Sequence, residues 1–467
     1  MAGEALEPLL HQLRATPPPL PLHLPAHGRG RGLAPGLQRL LRDPAGRWDL
    51  PELPGFGGPL EPEGAVAEAQ RRAAARIGAE LCRFGVNGAS GLLQVALLGL
   101  CPPGSRLLLP RQLHRSLLHA CVLGQLEPLL YSLPFEPRSG LWLPPDAAWL
   151  ERVLAAAAAL PGPPPSALVL VSPTYHGLEA DLAPLVAASH RAGLPVLVDQ
   201  AHGDGRSAVA AGADLTVVSL QKAAGGLAQA AALFARLGRL EAAGLDRALL
   251  WLQTSSPSAL LLAAAAAALD EAASSAGGRR RARAHGRAAL LRHRLEAQGL
   301  ALLANQDPLR LVWLCGAAGI NGLEADAWLL ERGVVAELPE PGSLTFCLGQ
   351  VPPPRLERLL PRRLSQLVAA RGGAALPAFT PPPLPLLAGL DLPLGQAWRA
   401  TAQSVPLVQA AGRIAAEPLC PYPPGIPLLV PGERIDAERA AWLGRQAWLW
   451  PGQIADTVRV VAEMHGV

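Results

Sequence analysis

Five short apolar runs set the architecture of this chain: RLLLP at 106–110, ALVLVS at 167–172, PVLVD at 195–199, DLTVVS at 214–219 and AAALF at 230–234. None alternates apolar with polar residues, as a strand with one wet face does; unbroken runs of this length mark strands covered on both faces. Helical stretches such as EGAVAEAQRRAAARIG, from residue 63, lie between them. Buried strands alternating with helices predict an α/β domain around a mostly parallel sheet, over residues 63–300. Near residue 300 the rhythm resets. DPLRLVWLCGAAG, a helix near 322–332 and SLTFCLGQV predict a smaller α+β unit over 301–376. The Pro-rich passage PAFTPPPLPLLAGLDLP, 377–393, reads as a linker to a C-terminal unit over 394–467, and the Pro- and Gly-rich residues 1–62 as an extended arm rather than core.

Several function classes drop out. The net charge is only +4 and the arginines are scattered, so no basic stripe points to nucleic acid; the densest cluster, GRRRARAHGR at 278–287, reads as a solvated helix face. The longest apolar runs, such as ALLLAAAAAAL at 259–269, fall short of the roughly 20 residues of a membrane span. The opening MAGEALEPLLHQLRATPPP lacks a basic region followed by an apolar block, so no secretion signal is expected. Six cysteines without a CxxC pair or metal-ligand spacing predict reduced thiols in a cytoplasm and no metal site.

VVSLQKAAGG, 217–226, holds the one lysine of the chain, Lys222; the other 40 of its 41 basic residues are arginine. Arginine supplies charge as well as lysine does, but only an amine can lose its proton and attack a carbonyl to form a Schiff base. In an open parallel sheet, ligands sit beyond the carboxyl ends of the strands. There PVLVD ends on Asp199, DLTVVS on Ser219, ALVLVS is followed by PTYHG with His176, and RLLLP by RQLH with His114. VNGASGLLQVALLGL, 86–100, is a Gly-containing turn opening an apolar helix, whose free amides and Ser90 hydroxyl form a phosphate cradle; it is neither a Walker loop nor a GxGxxG turn. Lysine, strand-end acid and cradle together describe a site for pyridoxal 5′-phosphate, where a carboxylate keeps the pyridine nitrogen protonated and the ring electron-accepting.

These residues also match a family in order along the chain. LHLPAHGRGRG at 22–32, WDLPELPGFGGPLEPEGAVAEAQ at 48–70, VNGASG, LPRQLHRSLLHA, SPTYHGLEADL, VLVDQAHG, GADLTVVSLQK, LQTSSPSALLLA and, most specifically, CPYPPGIPLLVPGERI at 420–435 resemble the ornithine/lysine/arginine decarboxylases in their short form without a wing domain. The resemblance implies the pyridoxal-phosphate-dependent fold type I, with a seven-stranded type of sheet, a C-terminal family domain and a homodimer or higher oligomer. It implies that Lys222 carries the Schiff base, Asp199 pairs with the pyridine nitrogen, His114 stacks on one ring face and Ala201 covers the other. Ser90, Ser219 and the amides of Ala89 and Ser90 would hold the phosphate, and His202 would lie close to the reacting groups.

The chain departs from the family pattern in three places. Gln221 stands where the family has histidine before the lysine, Gln200 where it has an acid, and Ala89 where it has a hydroxyl residue. An amide donates a hydrogen bond but carries no positive charge. The expected activity is loss of carbon dioxide from arginine, lysine or ornithine, feeding polyamine synthesis. The alternatives are a non-catalytic paralogue acting as a regulatory subunit, or an aminotransferase or desulfurase of the same fold. Recognising a distal cation needs an acid; Glu433, Glu179, Asp181 and Glu337 are the candidates, with His176 as a further substrate contact.

Overall fold

The computed structural model describes residues 13, 18–44, 46–420, 426–450 and 454–462. Most of the opening segment read for a secretion signal, and the PYPPG part of the family-specific stretch (421–425), lie outside these residues.

Seven strands, β1 (Leu81–Gly85), β2 (Arg106–Pro110), β3 (Glu127–Tyr131), β4 (Leu168–Val171), β5 (Val196–Asp199), β6 (Leu215–Ser219) and β7 (Ala231–Ala235), form the sheet in the order β3–β2–β4–β5–β6–β7–β1. An eighth short strand, Leu387–Ala388, lies outside β3. Strands β2 to β6 are parallel, and β7 runs antiparallel to both its neighbours. The fold is thus α/β with a mostly parallel sheet. All five apolar runs are strands of it. The sequence pattern misses β1 and β3 because LCRFG carries Arg83, which pairs with Asp246 at 2.7 Å, and EPLLY opens on an exposed acid.

Period-two geometry explains why the runs show no polar alternation. Leu107 and Leu109 of β2, Val169 of β4, Leu197 of β5 and Val217 of β6 enter one core with the helices Gly88–Leu100, Arg115–Gly124 and Ala242–Leu252. Leu108, Leu168, Leu170, Val196 and Val198 point the other way, into a core beneath Ala147–Ala158 and Leu182–Arg191. Both faces are dry. Each such aliphatic side chain stabilises the fold by roughly 1.5–3 kcal/mol relative to exposure.

A second core lies under β8 (Arg310–Trp313), β9 (Leu338–Glu340) and β10 (Ser343–Cys347), with β10 central and antiparallel to both. The reading of the first residues as outside the core needs correction here. Leu20 and Leu22 are fully buried in this second core, and Leu20–Pro21 pairs in parallel with Val334–Val335. Prolines alternate with leucines there, so the missing N–H groups fall between the bonds that Leu20 and Leu22 donate to the Gly333 and Val335 carbonyls. The Pro-rich passage is also more than a tether: Leu387 and Ala388 pair with Tyr131 and Leu130 and cover the open edge of β3. Further on, Ala402–Pro406 pairs with Thr457–Val461 beside the helix Ala437–Leu449, around Leu429, Ile435, Leu443 and Val460. Among the described residues no single helix is long and apolar enough to cross a membrane.

Candidate active site

A cavity of about 620 Å³ opens beyond the carboxyl ends of β2, β4, β5 and β6. It is lined by Lys222, Asp199, His114, His202, Ala201, Ala89, Ser90, Ser219, Gln221 and His176, so it collects ten of the expected residues from five segments. Asp199 is the last residue of β5, and Ser219 ends β6. The single helical turn Leu220–Ala223 then carries Lys222 inward. His114 caps the helix Arg115–Gly124, its Nδ1 accepting from the Ser116 amide at 3.2 Å.

Lys222 Nζ lies 3.1 Å from His202 Nε2. Burial lowers the pKa of Lys222, Asp199 and Glu337 oppose that shift, and Arg310 adds to it. Arg310 Nη2 lies 3.4 Å from His202 Nδ1, so the imidazole stands between this guanidinium and the amine. Asp199 is a buried carboxylate whose Oδ1 accepts from the Ala201 amide at 2.9 Å. Burial raises its pKa, while that amide bond and Lys222 hold it down, so a cationic partner in the cavity would relieve it.

The far edge of the cavity presents unpaired donors. Gly88, with φ of +70°, turns the chain into Gly88–Leu100, a conformation open to glycine at little cost. The Ala89 and Ser90 amides donate to no carbonyl among the described residues, as expected of a first helical turn. The side chains of Ser90, Ser219 and Gln221 make no hydrogen bonds within the described protein either, and all line the cavity. Gln221 thus offers a neutral donor at that edge. Gln200 points elsewhere, donating to Ser207 Oγ at 2.6 Å.

Sequence comparison matches residues 19–313 to the Orn/Lys/Arg decarboxylase major domain and 394–444 to the Orn/Lys/Arg decarboxylase C-terminal domain. The chain belongs to the Orn/Lys/Arg decarboxylase family. It is 29% identical to the arginine decarboxylase of Halalkalibacterium halodurans over 91% of this chain and 90% of that protein. It is 29% identical to the arginine decarboxylase of Bacillus subtilis over 92% and 91%. Its fold is similar to that of lysine decarboxylase A from Pseudomonas aeruginosa, with a TM-score of 0.74 at 19% identity over 93% of this chain and 78% of that one. The fold is that of the pyridoxal-phosphate-dependent fold type I enzymes.

In this decarboxylase-family site the four acids proposed for the distal cation fare unevenly. Glu433 does not line the cavity. Both its oxygens are taken, by Arg111 (2.5 and 3.1 Å), by Arg439 (3.0 Å) and by the Val430 amide (2.9 Å), in a pocket where Glu433 and Arg111 are each 2% exposed. It ties the C-terminal segment to the end of β2. Asp181 is exposed at the start of Leu182–Arg191, and Glu179 is exposed beside a smaller chamber on the other side of Lys222. Glu337 accepts from the Tyr175 hydroxyl and the Leu24 amide. Replacing Glu433 by glutamine strands two buried guanidiniums, and urea denaturation is expected to show a loss of about 3–5 kcal/mol.

Four residues of the site had no sequence signal strong enough to single them out: Tyr175, Arg310, Glu340 and Trp142. Tyr175 adjoins His176 in PTYHG, and its ring lies 4.5 Å from that of His202. Arg310 is brought in by Asn305, whose amide bridges the His176 and Arg310 carbonyls. The loop can come this close because residue 177 is glycine; a Cβ there would lie 2.9 Å from both Arg310 and Asp307.

The enclosed histidines set the acid response of the cofactor-free protein. Burial lowers His27 and His202 and takes His114 to about 4, with Lys222 and Arg115 adding to the last. Between 6.5 and 4 the unfolded chain therefore binds protons that the fold does not, and stability falls as pH drops. Asp199, raised above 3.8, takes up its proton early in the fold and offsets part of the loss at the acid end. Tm should decline through this window, and His202→Asn should flatten the decline.

Proposed function

We propose that the chain decarboxylates a basic L-amino acid, arginine, lysine or ornithine, using pyridoxal 5′-phosphate held in the cavity. The observation that carries this is the amine of Lys222, 3.1 Å from His202 Nε2 and facing the same cavity as the buried carboxylate of Asp199. When bound, the cofactor supplies an aldehyde for the amine and a ring that accepts the electrons freed as the substrate's carboxyl carbon leaves. Lys222 would hold its aldehyde, and Asp199 would supply the carboxylate that favours a protonated ring nitrogen. His114 presents its ring to the cavity and stays neutral at working pH, as a stacking group needs. The Ala89 and Ser90 amides, with Ser90, Ser219 and Gln221, would hold the phosphate, and Ala201 would lie against the ring. His202, in contact with Lys222 Nζ, is placed to pass a proton at that atom.

The desulfurase reading needs a thiolate. Cys420 is an exposed residue at the cavity's edge; partial enclosure by its neighbours pushes its thiol up to about 11 against the pull of Arg115, so it is protonated at neutral pH. The regulatory-subunit reading rested on Gln221 and Gln200; the first still offers a donor to the cavity and the second bonds Ser207 away from it. A homodimer in the cytoplasm, supplying polyamine synthesis, is the setting we infer; all six cysteines are free, as a reducing compartment requires. The test is amine release from L-arginine, L-lysine and L-ornithine by cofactor-loaded enzyme. Product from at least one is expected, and none from any, with cofactor bound normally, overturns the reaction.

A further inference from the structure

Besides Asp199 the cavity is lined, among the described residues, by one other carboxylate, that of Glu340 at the end of β9. Glu340 is 2% exposed. Its Oε2 is held twice, by His176 Nε2 at 2.6 Å and by Ser343 Oγ at 3.0 Å, while Oε1 has no partner. His176, equally enclosed, has no partner for its Nδ1. In the neutral ring with Nε2–H donating to the carboxylate, Nδ1 carries a lone pair. Two buried acceptors without donors thus border the cavity, a costly arrangement unless a ligand brings the donors. Trp142 lines the same part and, with Glu340, borders a smaller apolar chamber of about 70 Å³ walled by Phe135, Phe379 and Trp442.

We propose that Glu340 receives the distal cation of the substrate, with His176 Nδ1 as second acceptor and Trp142 as a flat wall, and that the site selects a guanidinium over an ammonium. A guanidinium is planar, offers N–H donors in a fixed fork to two acceptors, and stacks on an aromatic face; an ammonium is a compact point charge that matches neither feature. The competing acids lack a free oxygen or stand outside the cavity. The inference rests on the decarboxylase reading and deepens it, choosing arginine among the three substrates.

The test is calorimetric binding of guanidinobutylamine, the amine left by decarboxylated arginine, and of pentylamine, which lacks the distal charge, to cofactor-loaded protein. Wild type should bind the guanidinium compound at least about 30-fold more tightly, and Glu340→Gln should erase most of that difference while leaving pentylamine unchanged. With L-arginine as substrate, the variant should raise KM far more than it lowers kcat. Equal affinity of wild type for the two amines overturns the proposal even if the variant fails to fold. So does an unchanged preference in a folded variant that retains the visible absorbance of bound cofactor. Amine binding requires no carbon dioxide loss, so tight, Glu340-dependent binding without product release would sink the reaction and keep the cation receptor.

Discussion

Lys222→Ala is expected to lower amine release by about ten-thousandfold or more and to abolish the visible absorbance of lysine-bound cofactor. No neighbour can substitute, because the chain has no other lysine and guanidiniums stay protonated. Lys222→Arg should be as inactive as the alanine variant, although it restores a cation. That comparison separates nucleophilicity from charge. The fold should survive, since the wild-type amine sits in a site whose burial already disfavours its charged form. Far-UV circular dichroism and Tm of the cofactor-free variant provide the check. A variant that turned over at the wild-type rate would remove the amine from the mechanism altogether.

Asp199→Asn should reduce turnover by about a thousandfold, comparable to losing a preorganised charge in a catalytic site. The amide keeps the shape and can still accept from the Ala201 N–H, so little but the charge is lost. Without it nothing in the cavity keeps the ring nitrogen protonated, and electron withdrawal weakens. The effect on stability should run the other way. In the cofactor-free protein the Asp199 carboxylate is buried with its pKa raised, so a neutral replacement should leave Tm equal or higher. Activity down with stability up is the pairing to look for, measured by kcat and thermal denaturation on one preparation. A fall in both would mark Asp199 as structural.

Much of this molecule was legible in its residue order, for a definable reason. The five apolar runs are strands because a two-faced sheet writes its burial directly into contiguous residues. Asp199, Ser219, His114 and His176 fall near the cavity because a strand's last residues sit at the sheet's edge wherever the strand is placed. Features whose partners lie far along the chain were not legible. Arg83 hides β1 because its counter-ion is at Asp246, and Leu20 and Leu22 looked like arm residues because their core is built around Val334 and Phe346. Glu433 looked available until its two guanidinium partners were seen.

The sequence by itself determined five strands of the sheet and singled out Lys222 and Asp199, since each depends on local periodicity or on a residue type with no chemical substitute. Tertiary structure alone decided which acid keeps an oxygen free. Glu340 reaches its partner His176 across 164 residues, and only folding shows which carboxylates are neutralised by neighbours and which are left facing the cavity.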